Sequence, residues 1–414
     1  MKWCSSLILL KEVNEELPGN PVFRDWMMDT LKKQRRVLII TGEASGDLHG
    51  ANLIRAAREI DPGLSFFGIG GPLMQEAGCE VIVPIAEISV FGFVEVLGKL
   101  LTIKRVFRKI GEILRHERPD VVLLIDFPGF NMRVAKEAHN LGIPVLYYIA
   151  PKVWAWKQGR AKKIADTVDR LAVIFPFEPK YYAGMGLQVD YVGNPLLDEF
   201  EYTTGIDDFC IEHGLDREKK IIGLFPGSRS SEIKYNFQSI LQTAALLEKR
   251  YSGCQFLMPL ASSVSEPELR QQIEEAGLPV KLLTDNIYEV SAACDVVLAV
   301  SGTVTLQIAL TGTPLLVINR VHPLTYAIAK RFVKIPHVSL VNIIAGREVV
   351  KEFLQDEVVP EKLSTEILQI LENTEYNQKI RAGLAEVTEL MGEKGCSDKV
   401  AWIASELSLA DKKG

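Results

Sequence analysis

The chain has 414 residues, 47% apolar and 24% charged, a globular profile long enough for two α/β domains rather than one core. Its net charge of −6 argues against a nucleic-acid partner, whose contact face would push the balance basic. Six scattered cysteines without a Cys-x-x-Cys pair, and six histidines without ligand spacing, argue against a disulfide framework and a metal centre and predict buried thiols.

Residues 1–34 hold a short apolar stretch, Ser5 to Leu10, behind Lys2. Lys11, Glu12, Glu15 and Glu16 follow where a signal-peptide cleavage site would stand, so this segment reads as an N-terminal extension, with Met28 as an alternative start. No run of about 18 apolar residues predicts a transmembrane helix. From Val37 a regular rhythm begins. Strands are predicted at 37–40, 66–70, 81–83, 121–125, 145–149 and 171–174, with a helix over 47–59. Their apolar runs are continuous rather than alternating, the mark of strands covered on both faces in a parallel sheet.

Between Val90 and Arg118, apolar residues including Phe91, Phe93, Leu97, Leu100 and Leu101 are interleaved with Lys104, Arg105 and Arg108. The stretch is either an ordinary amphipathic crossover helix or an interfacial helix that dips apolar side chains into a bilayer while its cations meet anionic headgroups. The rhythm pauses near Gly193-Asn194-Pro195 and resumes with strands at 221–225, 255–258, 280–283, 296–299 and 315–318. The expected fold is α/β: two Rossmann-like, doubly wound domains facing each other across a cleft. The first spans 35–197 and the second 198–385. A C-terminal helical segment, 386–414, finishes the second domain or packs back on the first.

Several turns carry chemistry. Gly42, Glu43, Ser45, Gly46 and Asp47 sit where a strand hands over to a helix, with amides facing the ligand-binding edge of an open sheet. The plainer reading is a capped turn with Asp47 as the cap. Gly68 to Pro72 is a weaker glycine-rich signal, equally a tight turn. Asp126 follows five apolar residues, so it emerges at the tip of a buried strand, where partial desolvation raises a carboxylate's pKa and suits it to take a proton from a hydroxyl. The alternative is a cap for the next helix. Trp154 and Trp156 either line a wall or plug the domain base.

In the second half, Gly227, Ser228 and Arg229 close a strand, and a guanidinium there meets a phosphate or a pyrimidine edge with its planar fork. Ser301, Gly302 and Thr303 close another strand, where small residues let the backbone approach a pyrophosphate. Gln307, one turn on, is placed to bond a ribose. There is no Asp-x-Asp pair of the kind a metal-dependent transferase uses, so no metal and no cofactor is expected, and a leaving diphosphate falls to amides and Arg229.

Taken together these motifs resemble the lipid-A-disaccharide synthase family over nearly the whole chain from Val37 to about residue 400. The carriers are GEASGD at 42–47, the glycines at 68–72 with Met74 and Gly78-Cys79, and VEVL at 94–97. They continue with IDFPGFN at 125–131, PKVWAW at 151–156, FPFE at 175–178, PGSR with Glu232 and SGT at 301–303. Lys330-Arg331 and SLVNIIAGRE at 339–348 complete the set. The resemblance implies a two-domain GT-B glycosyltransferase that inverts the anomeric centre. Its substrates would be UDP-2,3-diacylglucosamine and 2,3-diacylglucosamine 1-phosphate, its products the β-1,6-linked lipid A disaccharide 1-phosphate and UDP. It implies Asp126 as base and Arg229, Ser301, Gly302, Thr303 and Asn342 as UDP contacts. Gly42, Glu43, Ser45, Gly46, Asp47 and Asn131 then fall on the acceptor side. Acylated substrates favour the interfacial reading of residues 90–118 and a cytoplasmic protein held peripherally at the inner membrane; a homo-oligomer stays open.

Four positions depart from the family pattern. Gly129 stands where a second aspartate is common, Gln307 where a glutamate is frequent, Asn194 where a histidine is common and Lys152 where a small polar residue is usual. The alternatives are another UDP-sugar enzyme of the same fold, such as a peptidoglycan-type transferase or a UDP-N-acetylglucosamine 2-epimerase, or a non-catalytic sugar-nucleotide-binding protein. The VWAW and SLVNIIAGRE segments speak against the first two.

Overall fold

The continuous apolar runs become the strands of two sheets in a computed structural model that describes residues 34–88, 93–154, 159–251, 253–261, 264–332 and 335–410. The segment 1–33 and Phe91 therefore lie outside the described residues, as does Trp156.

The first sheet has seven strands: β1 (Arg35–Ile40), β2 (Leu64–Gly70), β3 (Glu80–Pro84), β4 (Val121–Ile125), β5 (Val145–Tyr148), β6 (Arg170–Val173) and β7 (Gln188–Tyr191). Their order is β3-β2-β1-β4-β5-β6-β7, and β1 pairs in parallel with both β2 and β4. Strand order reverses between β1 and β4, and the crevice at such a reversal is where open α/β sheets bind ligands. The second sheet has six strands: β8 (Ile221–Phe225), β9 (Gln255–Pro259), β10 (Val280–Leu283), β11 (Val296–Val300), β12 (Leu315–Asn319) and β13 (Glu352–Leu354). Its order, β10-β9-β8-β11-β12-β13, repeats the pattern, with the reversal between β8 and β11. This is the two-sheet, doubly wound α/β architecture.

Strands β4, β8 and β11 are buried at every position, as residues enclosed on both faces must be. Strands β7 and β13 were not legible as strands. Both stand at sheet edges, and neither Gln-Val-Asp-Tyr nor Glu-Phe-Leu presents an apolar run.

The chain divides into two compact units. One gathers the described residues up to Pro151 with Thr167–Leu171 and those from Ser397 on; the other holds Lys152–Asp166 and Ala172–Cys396, so the division falls within β6. The last helix, Cys396–Leu409, is fixed to the first unit by polar contacts. Arg35 and Asp61, both nearly inaccessible, form an ion pair at 2.5 Å; the Ser405 hydroxyl donates to Asp61, and Arg35 donates to Ser408 at 3.0 Å. The pair is matched by further hydrogen bonds, the condition under which buried charge is tolerated. The five described cysteines are buried free thiols.

Candidate active site

At the reversal point of the first sheet, Asp126 follows β4 with φ 45°, and Phe127 follows with φ 48°. Two consecutive non-glycine residues in the left-handed region cost roughly 1–2 kcal/mol each, a strain that persists only where the surroundings over-determine it. They do. The Asp126 carbonyl accepts the Tyr147 hydroxyl at 2.8 Å and the Asn131 side-chain amide at 2.8 Å, while its N–H donates to Tyr148 O at 3.1 Å. Phe127 lies over Gly42, where a Cβ would fall 2.4 Å from the ring, so the GEASGD turn needs glycine to admit it. The result is a half-buried carboxylate on a rigid strand-to-helix turn.

The neighbouring sequence-predicted residues have other roles. Asp47 is almost fully buried, and its carboxylate accepts the backbone N–H groups of Gly71 (2.7 Å), Leu73 (3.1 Å) and Met74 (3.1 Å). It caps the adjacent helix Pro72–Glu76, not its own, and joins the GEASGD and GIGGP motifs into one structure. Its carboxylate is thereby engaged by the scaffold. Asn131 is fully buried, and its amide ties the end of β4 to the following helix through Ile125 O and Asp126 O. Gly46 is buried against Thr41, whereas Glu43 and Ser45 are exposed beside this turn.

Glu178 was missed as an individual residue, although its FPFE motif was noticed. It is buried, and accepts the Trp154 indole N–H (3.1 Å) and the N–H groups of Ile174 (3.1 Å) and Phe175 (3.0 Å). Burial pushes its carboxyl up to about 7, against the opposing pull of those three donors and of the Lys152 charge. Trp154 is buried edge-on against Phe175 and Phe177, so it plugs the domain.

At the reversal point of the second sheet lies a cavity of ≈ 350 Å³. Its lining includes Gly227, Ser228, Arg229, Glu232, Ser301, Gly302, Thr303 and Gln307, so the two turns predicted separately from sequence meet in one pocket. The turns differ. Glu232 accepts Ser228 N at 2.9 Å, Arg229 N at 3.2 Å and the Arg229 guanidinium at 2.9 Å, closing the first turn on itself. Gly227 has φ 98°, and a Cβ there would lie 2.4 Å from the Glu232 carboxylate. In the second turn Ser301 is committed to the fold, its N–H to Ile318 O and its hydroxyl to Val338 O. The N–H groups of Gly302 and Thr303 donate no hydrogen bond among the described residues. A Cβ on Gly302 would meet nothing within 4 Å, so that glycine faces open space. Gln307 hydrogen-bonds the Tyr288 phenol, which burial raises to about 12.

Asn342 is not in the lining. Its side chain is inaccessible and makes four hydrogen bonds, accepting Val349 N and Val350 N and donating to Val350 O and Glu352. An amide has two donors and one oxygen with two lone pairs, so none is left for a ribose or phosphate. In this structure the Asn342 amide is committed to the fold. Asn194 is likewise buried and caps the helix Pro195–Glu199 through Leu196 N. Among the described residues no group of three or more His, Cys, Asp or Glu is placed to hold a metal ion.

The helix Phe93–His116 buries Val106, Ile110, Ile113 and Leu114, and exposes Leu101, Lys104, Arg105 and Arg108. The side chains of Phe93, Leu97 and Leu100 lie outside the described residues. Among the described residues no helix is long and apolar enough to cross a membrane.

Known proteins can be set beside this geometry. The lipid-A-disaccharide synthetase (LpxB) family model matches residues 37–405. The lipid-A-disaccharide synthase of Syntrophotalea carbinolica is 52% identical over 381 residues, 92% of this chain and 97% of that protein. Solved structures share the fold at far lower identity. A UDP-GlcNAc 2-epimerase from Neisseria meningitidis bound to UDP-GlcNAc has a TM-score of 0.56 at 14% identity, covering 90% of this chain and 98% of that one. A glycosyltransferase from Rickettsia africae has a TM-score of 0.54 at 13% identity, covering 92% and 100%. The match over nearly all of β1 to the last helix, at an identity far above that of these fold relatives, decides the matter: the chain belongs to the lipid-A-disaccharide synthetase family.

Proposed function

We propose that this chain transfers the sugar of UDP-2,3-diacylglucosamine to 2,3-diacylglucosamine 1-phosphate, forming the β-1,6-linked lipid A disaccharide 1-phosphate and UDP. The observation that carries the reading is the second unit's pocket. Two strand-end turns at a strand-order reversal supply a guanidinium and unengaged amides, the donor set a diphosphate needs. Arg229 with the N–H groups of Gly302 and Thr303 holds the diphosphate and stabilises the charge that develops on it as the glycosidic bond breaks. Gln307 is the ribose partner, weaker than the glutamate frequent in the family.

Asp126 is the base. It takes the proton of the acceptor hydroxyl as that oxygen attacks the anomeric carbon, opposite the departing UDP; a single in-line displacement inverts the centre. The clamped turn supports this role because it fixes the backbone that carries the carboxylate before substrate arrives. The exposed Leu101, Lys104, Arg105 and Arg108 face supports peripheral attachment to the cytoplasmic leaflet of the inner membrane, where acylated substrates reside.

Incubation with both acylated substrates tests the reading. Mass spectrometry should find a disaccharide monophosphate appearing in step with released UDP. UDP release without disaccharide, or turnover of UDP-N-acetylglucosamine instead, would overturn it.

A further inference from the structure

The 226–229 turn and the start of the long helix Ser230–Arg250 offer amides to an anion, but the anion there is the protein's own. Glu232 engages two backbone N–H groups with one carboxylate oxygen and the Arg229 guanidinium with the other. We propose that Glu232 is a positioning residue for the donor: it stays in the turn when the diphosphate arrives and presents the Arg229 guanidinium to it. The inference rests on the donor-pocket reading above.

Three features support it. Displacing Glu232 would break three charge-assisted hydrogen bonds, whereas leaving it in place opposes the diphosphate only through one screened repulsion that Arg229 offsets. The turn is also shaped around the carboxylate, since Gly227 has φ 98° and lacks the Cβ that would strike it. Finally, the Arg229 side chain is 64% exposed, whereas that of Glu232 is only 21% exposed. An ion pair with so exposed a guanidinium adds little to stability; it restricts a long side chain that would otherwise sample many rotamers before meeting a ligand. The diphosphate is therefore held by the forked guanidinium and by the Gly302 and Thr303 amides, not by the amides at 228 and 229.

The test compares UDP and uridine binding to the full-length protein by calorimetry and ligand-observed NMR, for wild type, Glu232→Gln, Arg229→Ala and the double variant. Glutamine keeps an acceptor for the amides but drops the charge that holds Arg229. Glu232→Gln should weaken UDP binding roughly 3- to 10-fold, within the range of a lost orienting ion pair. Uridine, which has no phosphate, should bind within about 2-fold of wild type, which also certifies the fold; in the Arg229→Ala background the same exchange should change UDP affinity less than about 2-fold. Equal losses for UDP and uridine would make Glu232 merely structural and overturn the inference. So would tighter UDP binding, which would mean that the carboxylate competes with phosphate. If wild type binds no UDP, the donor-pocket reading falls first; if it does bind and the double-variant effects simply add, only the present inference falls.

Discussion

Asp47, in the first turn of the helix Ala44–Ile60 that follows β1, and Asp126, on the turn that follows the adjacent strand β4, stand at the carboxyl edge of the same sheet and are held differently. Asp47 is buried and engaged by three backbone N–H groups of one short helix. Asp126 is half-buried, and the clamp acts on its backbone instead: the Tyr147 hydroxyl and the Asn131 amide hold its carbonyl in a left-handed turn. The two aspartates thus differ in which part of the residue these contacts hold: the carboxylate of Asp47 and the carbonyl of Asp126. Three amide donors occupy most of the lone pairs of the Asp47 carboxylate and commit it to the scaffold.

The sharpest way to break this contrast is to neutralise each residue in turn. Asp126→Asn keeps the shape and removes the base, so kcat should fall about 10³-fold, within the usual range for loss of general-base catalysis, with UDP affinity within about 2-fold of wild type. Asp47→Ala should act the other way. Three buried N–H groups would be left without an acceptor, lowering stability by about 2–4 kcal/mol in chemical denaturation. The molecules that remain folded should keep near-normal kcat. If Asp47→Ala abolished turnover in a fully folded protein, or Asp126→Asn merely lowered stability, the roles would have to be exchanged.

Glu178 sharpens the comparison with a carboxylate of the Asp47 kind whose burial is not fully offset. Its three donors favour the charged form, yet burial outweighs them and raises the group from 4.5 to about 7. In that window the folded protein binds a proton that the unfolded chain has already released. Its contribution is thus present at low pH and lost as pH rises from about 4.5 to 7, by up to about 3 kcal/mol. Glu178→Gln should flatten the stability profile between pH 5 and 8, even though the plateau falls because the Trp154 N–H then faces an NH₂ group. A mutant profile that kept the wild-type slope would locate the titration elsewhere.

These residues also show what a sequence can reveal. Continuous apolar runs announced β4, β8 and β11 because full enclosure demands apolar residues at every position. Residues placed at their tips, Asp126, Arg229 and Gly302, were legible by the same logic, since a strand's end fixes where the next residues emerge. Strands β7 and β13 were not, because an edge strand needs no such run. Nor were the duties of Asp47 and Asn342. The first is settled by amides 24 to 27 residues away. The second is a four-bond network with the turn at 349–352, which no spacing rule distinguishes from a ligand-facing amide. Glu232 was visible as part of the PGSR motif, but only the closed turn reveals that it consumes the amides assigned to phosphate.

A contrast between buried and exposed groups also divides the apolar side chains of the helix Phe93–His116, and here the smallest effect is expected. Leu114 and Ile110 are fully buried, whereas Leu101 is 82% exposed, with Lys104, Arg105 and Arg108 one and two turns along the same face. A single exposed leucine needs no explanation, but a leucine at one end of a cationic face is what an anionic bilayer surface would retain. Leu101→Gln should reduce co-sedimentation with phosphatidylglycerol-containing vesicles about 3-fold, and Arg108→Glu somewhat more, because each cation near such a surface contributes roughly 1 kcal/mol. Neither change touches the UDP pocket, so binding of UDP in detergent-free buffer should be unaltered. Salt separates the contributions: raising ionic strength should erase the Arg108→Glu difference and leave that of Leu101→Gln, since screening acts on the charge and not on buried apolar area. If both variants sediment like wild type at low salt, the exposed leucine is an ordinary surface residue and the attachment proposed for this face falls.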